Sequence, residues 1–161
     1  MTEQRSTGLN HLRADGSAHM VDVSAKDVTV RSASAAGRVL LSAEAVAALR
    51  RGNVPKGDAL SVARIAGIQA AKRTPDLIPL AHPIGVHAVE VDLVVVDDGV
   101  NLSATVRTAD RTGVEMEALT AVAVGALALI DMVKAVDKHA RVTDVRVTAK
   151  SGGRSGDWVE P

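Results

Sequence analysis

The chain has 161 residues, a mass of 16.6 kDa and 19 Lys+Arg against 19 Asp+Glu, so its formal net charge is zero. That length fits one domain over residues 1–161, and charge balance argues against a nucleic-acid binder that relies on bulk positive charge. One Trp without Tyr or Phe leaves no stacking platform for single strands, and the lack of Cys excludes disulfides, thiolate metal sites, iron–sulfur clusters and thiol nucleophiles.

The first residues, to about 18, are polar and are expected to form a mobile tip; they lack the apolar core of a signal peptide. Val21, Val23, Val28, Thr29, Val30 and Val39 predict extended chain over Met20–Leu41, with Gly37 as a break. Ser42 caps a short helix that closes at Arg51-Gly52. Pro55-Lys56-Gly57-Asp58 is a turn whose Asp58 opens a second helix, about 59–73, in which Ala63, Ala66 and Gly67 permit close packing. The residues from His87 to Val96 alternate, Asp97-Asp98-Gly99 turns the chain, and Val100 to Arg107 alternate again, which predicts a half-buried antiparallel hairpin. A long helix follows over about 114–138, Ala- and Gly-rich and apolar nearly all round, so it is expected to be covered on more than one side. Its most apolar stretch, Ala118 to Ile130, is shorter than a bilayer span. Arg141 to Thr148 form the last predicted strand, and a Gly/Ser-rich tail occupies about 151–161.

This order predicts an α+β fold, a ferredoxin-like βαββαβ sandwich with an antiparallel sheet and helices on one face. The other face then needs water or a partner, and oligomerisation is expected. The compartment is read as the cytosol, with no membrane and no nucleic acid as partner.

Several nucleotide and hydrolase motifs fail. Gly52 to Gly57 has phosphate-loop glycine spacing, but Asp58-Ala59 stand where Lys and Ser/Thr are required. Gly153 to Asp157 misses the nucleophile-elbow pattern at its last position, and the five histidines lack tight ligand spacing, so no metal site is expected. Lys56 beside a helix mouth is either a phosphate contact or a surface lysine. His82, between the prolines of Ile78-Pro-Leu-Ala-His82-Pro83, is either a rigidly held donor or a structural imidazole. Glu115 and Glu117 in the first turn of the long helix read as dipole capping or as site carboxylates. Asp131 and Lys134 share a helix face, as a surface ion pair or as a proton-transfer pair at an apolar boundary. Glu117 and Asp131 are 14 residues apart, so an unbroken helix separates them by about 21 Å. They cannot both touch one small molecule from the same chain. Either they serve different purposes, or a second subunit brings its helix start to the first one's helix end.

Nine strings resemble the cyclic pyranopterin monophosphate synthases, the C protein of molybdenum cofactor biosynthesis: His19-Met-Val-Asp-Val-Ser-Ala-Lys26, Lys56-Gly-Asp, Ala63 to Thr74, Asp76-Leu-Ile-Pro-Leu, His82-Pro, Thr112 to Ala121, Asp131-Met, Lys134-Ala-Val, and Lys150 to Asp157. They run in the family's order from about residue 9 to 158. The resemblance implies a ferredoxin-like homohexamer, a trimer of dimers with active sites at dimer interfaces. It implies conversion of 3′,8-cyclo-7,8-dihydroguanosine triphosphate to cyclic pyranopterin monophosphate with release of pyrophosphate, a lyase reaction. It implies Asp131 as acid/base and Lys56 and Lys134 as essential lysines. Leu80, Ala81, His82, Met116 and Glu117 would line the substrate pocket, and Glu115 and Lys150 would complete it. No protein-bound cofactor is implied; whether Mg²⁺ accompanies the triphosphate stays open. Ala81 and Val133 stand where the family usually has Cys, and Ile130 where it has Tyr, so no thiol or neighbouring phenol takes part. A nucleotide-sensing module or a scaffold of the same fold are the competing classes.

Overall fold

The computed structural model describes residues 11–161. Its elements are β1 (Thr29–Leu40), α1 (Ala43–Arg51), α2 (Ala59–Lys72), α3 (Thr74–Leu77), β2 (Ala88–Val96), β3 (Gly99–Asp110), α4 (Glu115–Val133), β4 (Arg141–Ser151) and β5 (Trp158–Val159). The strands form one antiparallel sheet in the order β2-β3-β1-β4-β5. The first four strands reproduce the expected ferredoxin-like order, and β5 adds a short edge.

Alternation decides which face is covered. In register, Ala33 pairs with Val106, Ala35 with Ala104 and Val39 with Val100, and all are buried toward the helices. The opposite face presents Ser34, Arg38, Asp92, Asn101, Ser103 and Thr105, tied by pairs such as Ser34 Oγ to Thr105 Oγ1 at 2.8 Å. That face is polar enough for water, so it does not by itself call for a partner. Exposed apolar side chains occur on both layers: Val30 and Val94 on this open face, 76% and 58% exposed, and Val62, Ile65 and Leu127 on the helices.

Small residues set how closely the helices approach. A Cβ built on Gly67 of α2 would lie 2.9 Å from the Ala121 carbonyl of α4, and one on Gly125 would lie 3.3 Å from the Ala63 carbonyl of α2. The two backbones therefore meet at paired glycines, as the small residues of the second helix predicted. Gly37 does not break β1 as expected: the ladder to β3 runs through it, Gly37 opposite Leu102. Its missing side chain admits Val122 of α4, whose Cγ1 would be 2.7 Å from a Cβ there, while the register shift falls on the β4 side.

Three further expectations are corrected. The long helix stops at Val133, not near residue 138, because the chain turns as the Val136 and Asp137 N–H groups both bond the Val133 carbonyl. The 19 residues of α4, with mean hydropathy 1.8, are long and apolar enough to cross a membrane; 56% of that stretch is buried by the sheet and α2, which marks a core helix. The Gly/Ser-rich tail returns to the sheet as β5, where Trp158 pairs with Lys150 and Val159 with Ala149. Of the expected tip, residues 1–10 lie outside the described residues; beyond them Leu12 bridges Ala18, and Asp15 accepts the Ser17 N–H and hydroxyl.

Candidate functional site

The candidate residues gather at the two ends of α4. At its carboxyl end, Asp131 lies between two lysines: Lys134 Nζ is 2.6 Å from Oδ1 and Lys56 Nζ is 2.8 Å from Oδ2. Lys134 follows one helical turn after Asp131. Lys56 comes from the loop between α1 and α2, and local chemistry holds that loop. Gly52, at φ 66°, closes α1 on the Ala48 and Leu49 carbonyls. The Gly57 N–H bonds the Val54 carbonyl at 3.0 Å, and Asp58 caps α2 through the Ser61 N–H at 3.0 Å. Because Asp58 takes that position itself, attraction for an anion rests on the Lys56 ammonium rather than on an open helix mouth. Hydrogen bonds from Lys134 first and Lys56 second hold the Asp131 carboxyl down at about 2, so it is ionised at any physiological pH. All three side chains are about half exposed, an arrangement open to a ligand. The basic residues along and just after α2 are engaged elsewhere: Arg64 Nε donates to the Val91 carbonyl, and Arg73 pairs with Asp76.

At the amino end of α4, a cavity of about 470 Å³ is lined by Leu80, Ala81, His82, Glu115, Met116 and Glu117. Glu117 is 3% exposed, and burial pushes its carboxyl above the usual range, with the neighbouring Glu115 charge adding to the rise. Glu115 meets Lys150 at 3.1 Å. Lys150 reaches it because its register partner in β1 is Ala33, which faces the helices, and its Nζ also donates to the Ser155 hydroxyl. Gly113 leaves the space that the folded-back Glu115 carboxylate fills, since a Cβ there would collide with it. His82 Nε2 lies 2.6 Å from the Val21 carbonyl, which can only accept, so that nitrogen carries the proton. The imidazole is thereby a held group on the cavity wall.

The remaining lining comes from residues that sequence reasoning did not assign: His11, Val21, Val23 and Lys26 of the amino-terminal strap, with Ile78, Thr112 and Gly113. The string from His19 to Lys26 was the available signal, but only the tertiary fold lays it across the cavity. Among the described residues no group of three or more His, Asp or Glu side chains could hold a metal ion.

α4 is unbroken between Glu117 and Asp131, so the two clusters stand about 21 Å apart in one chain. One carries a carboxylate with two ammonium groups. The other carries a half-apolar cavity with a held imidazole and a buried carboxyl. The first suits proton transfer and anion stabilisation, and the second suits recognition of a polar heterocycle.

Comparison with known proteins gives one consistent result. A family model described as MoaC family matches residues 20–153. A Streptomyces coelicolor protein named cyclic pyranopterin monophosphate synthase is 65% identical over 151 residues, covering 94% of this chain and 89% of its own length. A Streptomyces griseus protein of the same name is 67% identical over 150 residues, covering 93% and 85%. Mycobacterium tuberculosis has a cyclic pyranopterin monophosphate synthase 2 that is 54% identical over 158 residues, covering 98% and 95%.

Proposed function

The chain belongs to the MoaC family, and from that premise we propose that it is a cyclic pyranopterin monophosphate synthase of molybdenum cofactor biosynthesis. It converts (8S)-3′,8-cyclo-7,8-dihydroguanosine 5′-triphosphate to cyclic pyranopterin monophosphate and diphosphate. The observation that carries this reading is the Lys56–Asp131–Lys134 cluster, the set of groups the reaction requires.

The reaction opens and recloses a nitrogen-containing ring and then closes a cyclic phosphate. In the second part a sugar hydroxyl attacks the α-phosphorus, the bond to the β-phosphate oxygen breaks, and diphosphate departs. Positive charge beside that departing oxygen lowers the barrier, and the two lysines supply it. With both lysines in place Asp131 is a weak base. When substrate phosphates draw Lys56 or Lys134 away, the carboxyl loses a donor and a cation and its proton affinity rises. Substrate binding thus switches Asp131 into a proton acceptor at the moment one is needed.

The ring end of the substrate is assigned to the cavity at the start of α4, where His82, Glu115, Glu117 and Lys150 meet its polar edges and Leu80, Ala81 and Met116 its faces. The two clusters then have to come from different subunits, since 21 Å is more than one small molecule bridges comfortably between a reacting centre and its supports. The apolar stripe of Val62, Ile65 and Leu127 supports such an assembly. We assign a dimer as the minimal active unit and a trimer of dimers as the full one, in the cytoplasm, without membrane or nucleic-acid partner. The residues call for no protein-bound cofactor; a magnesium ion would enter with the triphosphate.

The test is incubation of the purified protein with the cyclic dihydro-GTP, following diphosphate and pterin product. Product formation, abolished in Asp131→Asn with binding retained, is expected. Absence of product from a folded oligomer overturns the enzyme reading and leaves a binding module.

A further inference from the structure

Asp137 belongs to neither cluster, yet it is only 8% exposed. It sits in the turn that ends α4, six residues after Asp131 and three after Lys134. Its Oδ2 accepts the backbone N–H of Ser42 at 2.7 Å, and its Oδ1 accepts the N–H of His139 at 2.9 Å. Ser42 is the residue that opens α1, and α1 runs nine residues to the Gly52 cap before the tight turn that presents Lys56. Among the described residues, only two hydrogen bonds join residues 42–58 to residues 131–139. One is Lys56 to Asp131, and the other is Ser42 to Asp137.

This buried carboxylate therefore fastens the segment that carries Lys56 to the segment that carries Asp131 and Lys134. Both its bonds are charge-assisted, and an N–H facing each oxygen leaves neither position free to accept an amide nitrogen without a donor meeting a donor. Catalytic geometry is sensitive to such fastening, because a displacement of about 1 Å at a reacting group can lower turnover by about a hundredfold.

We propose that Asp137 is a positioning residue for the Lys56–Asp131–Lys134 cluster. Its bond to Ser42 sets α1, and through the Gly52–Asp58 turn the Lys56 ammonium, against the end of α4. The residue does not touch substrate; it acts through the placement of Lys56. This rests on the synthase reading for its kinetic arm alone.

The test compares Asp137→Asn with Val46→Ala. The first keeps size and removes one of the two acceptors. The second loosens the buried face of α1, where Val46 is 3% exposed, without touching the clamp. Turnover and carboxyl titration of Asp131 by carbon NMR are followed in both, together with thermal melting. Asp137→Asn is expected to lower kcat about tenfold or more with KM within about threefold, and to raise the Asp131 titration from about 2 toward the ordinary carboxylate range. Val46→Ala is expected to melt earlier while both readouts stay at their original values. An Asp131 titration unmoved in Asp137→Asn overturns the proposal, as does an equal shift in both variants. If Asp137→Asn does not fold, Ser42→Pro takes its place: φ −65° suits proline, the N–H of the clamp is lost, and the ring Cδ standing where the hydrogen was drives the Asp137 carboxylate off Ser42. Unmodified protein that fails to turn over removes the synthase reading, and the titration still decides the clamp.

Discussion

The two ends of α4 hold carboxylates in opposite electrostatic settings. Asp131, half exposed, has an ammonium on each oxygen and is held strongly acidic. Glu117, nearly buried at the start of the same helix, has no ion-pair partner among the described residues and is pushed toward its neutral form. The difference follows from position. The helix start dives under the cavity wall, where desolvation dominates, whereas the helix end emerges where two flexible lysines reach it. One chain thus carries a charge-compensated ion cluster, the proposed reaction centre, and a low-dielectric cavity wall, the proposed recognition site, and the rigid helix keeps them apart.

Removing the centre at the helix end gives the largest expected effect. Asp131→Asn should lower kcat by about a thousandfold, within the range for a lost acid–base group, while substrate binding measured by calorimetry persists. If turnover survives, the helix end is not the reaction centre and the contrast loses its functional meaning. Lys56→Ala and Lys134→Ala should each lower diphosphate release by about a hundredfold and raise the Asp131 titration. The rise should be larger for Lys134→Ala, whose hydrogen bond acts more strongly on Asp131. Equal titrations would mean that the two lysines are interchangeable.

The spacing between the ends depends on how α4 is seated. Gly67→Ala pushes a methyl group toward the Ala121 carbonyl at 2.9 Å, so overpacking should outweigh the helix-propensity gain and destabilise the fold by about 1–2 kcal/mol in urea denaturation. The smallest effect is on stability against pH. Glu117, raised in the fold, contributes stability below the ordinary Glu value that is lost as pH rises through its raised one. Asp131, lowered in the fold, contributes stability above the ordinary Asp value that is lost as pH falls toward about 2. Glu117→Gln should therefore flatten the decline above the ordinary Glu range and leave the acid limb in place. An unchanged decline would show that burial of Glu117 is not what separates the two ends.

Much of this was legible in the chain. Ser42, Gly52 and Asp58 marked helix boundaries because caps are local chemistry, and the alternation around Asp97-Asp98-Gly99 marked the hairpin because strand faces repeat every two residues. Asp131 with Lys134 was visible as a pair at helical spacing, and helix arithmetic alone separated Glu117 from Asp131. Gly37 was misread as a break because a glycine that admits Val122 from another element looks, in sequence, like one that ends a strand. The end of α4 was placed too late because nothing between Lys134 and Lys138 is a helix breaker. The turn there is set by hydrogen bonds to Val133, and its Asp137 is bound to a residue 95 positions away.

Sequence by itself determined the order of the four main strands and the three longer helices, the covered face of the sheet, the family strings and the separation of Glu117 from Asp131 along α4. Each is a short-range consequence of residue size, polarity and period. Tertiary structure alone decided that Lys56 reaches Asp131 across 75 positions, that the strap from His11 to Lys26 walls the cavity, and that β5 returns to the sheet beside Lys150. Those placements depend on how distant surfaces pack. No local pattern encodes the route by which two far segments of a chain come to share one small volume.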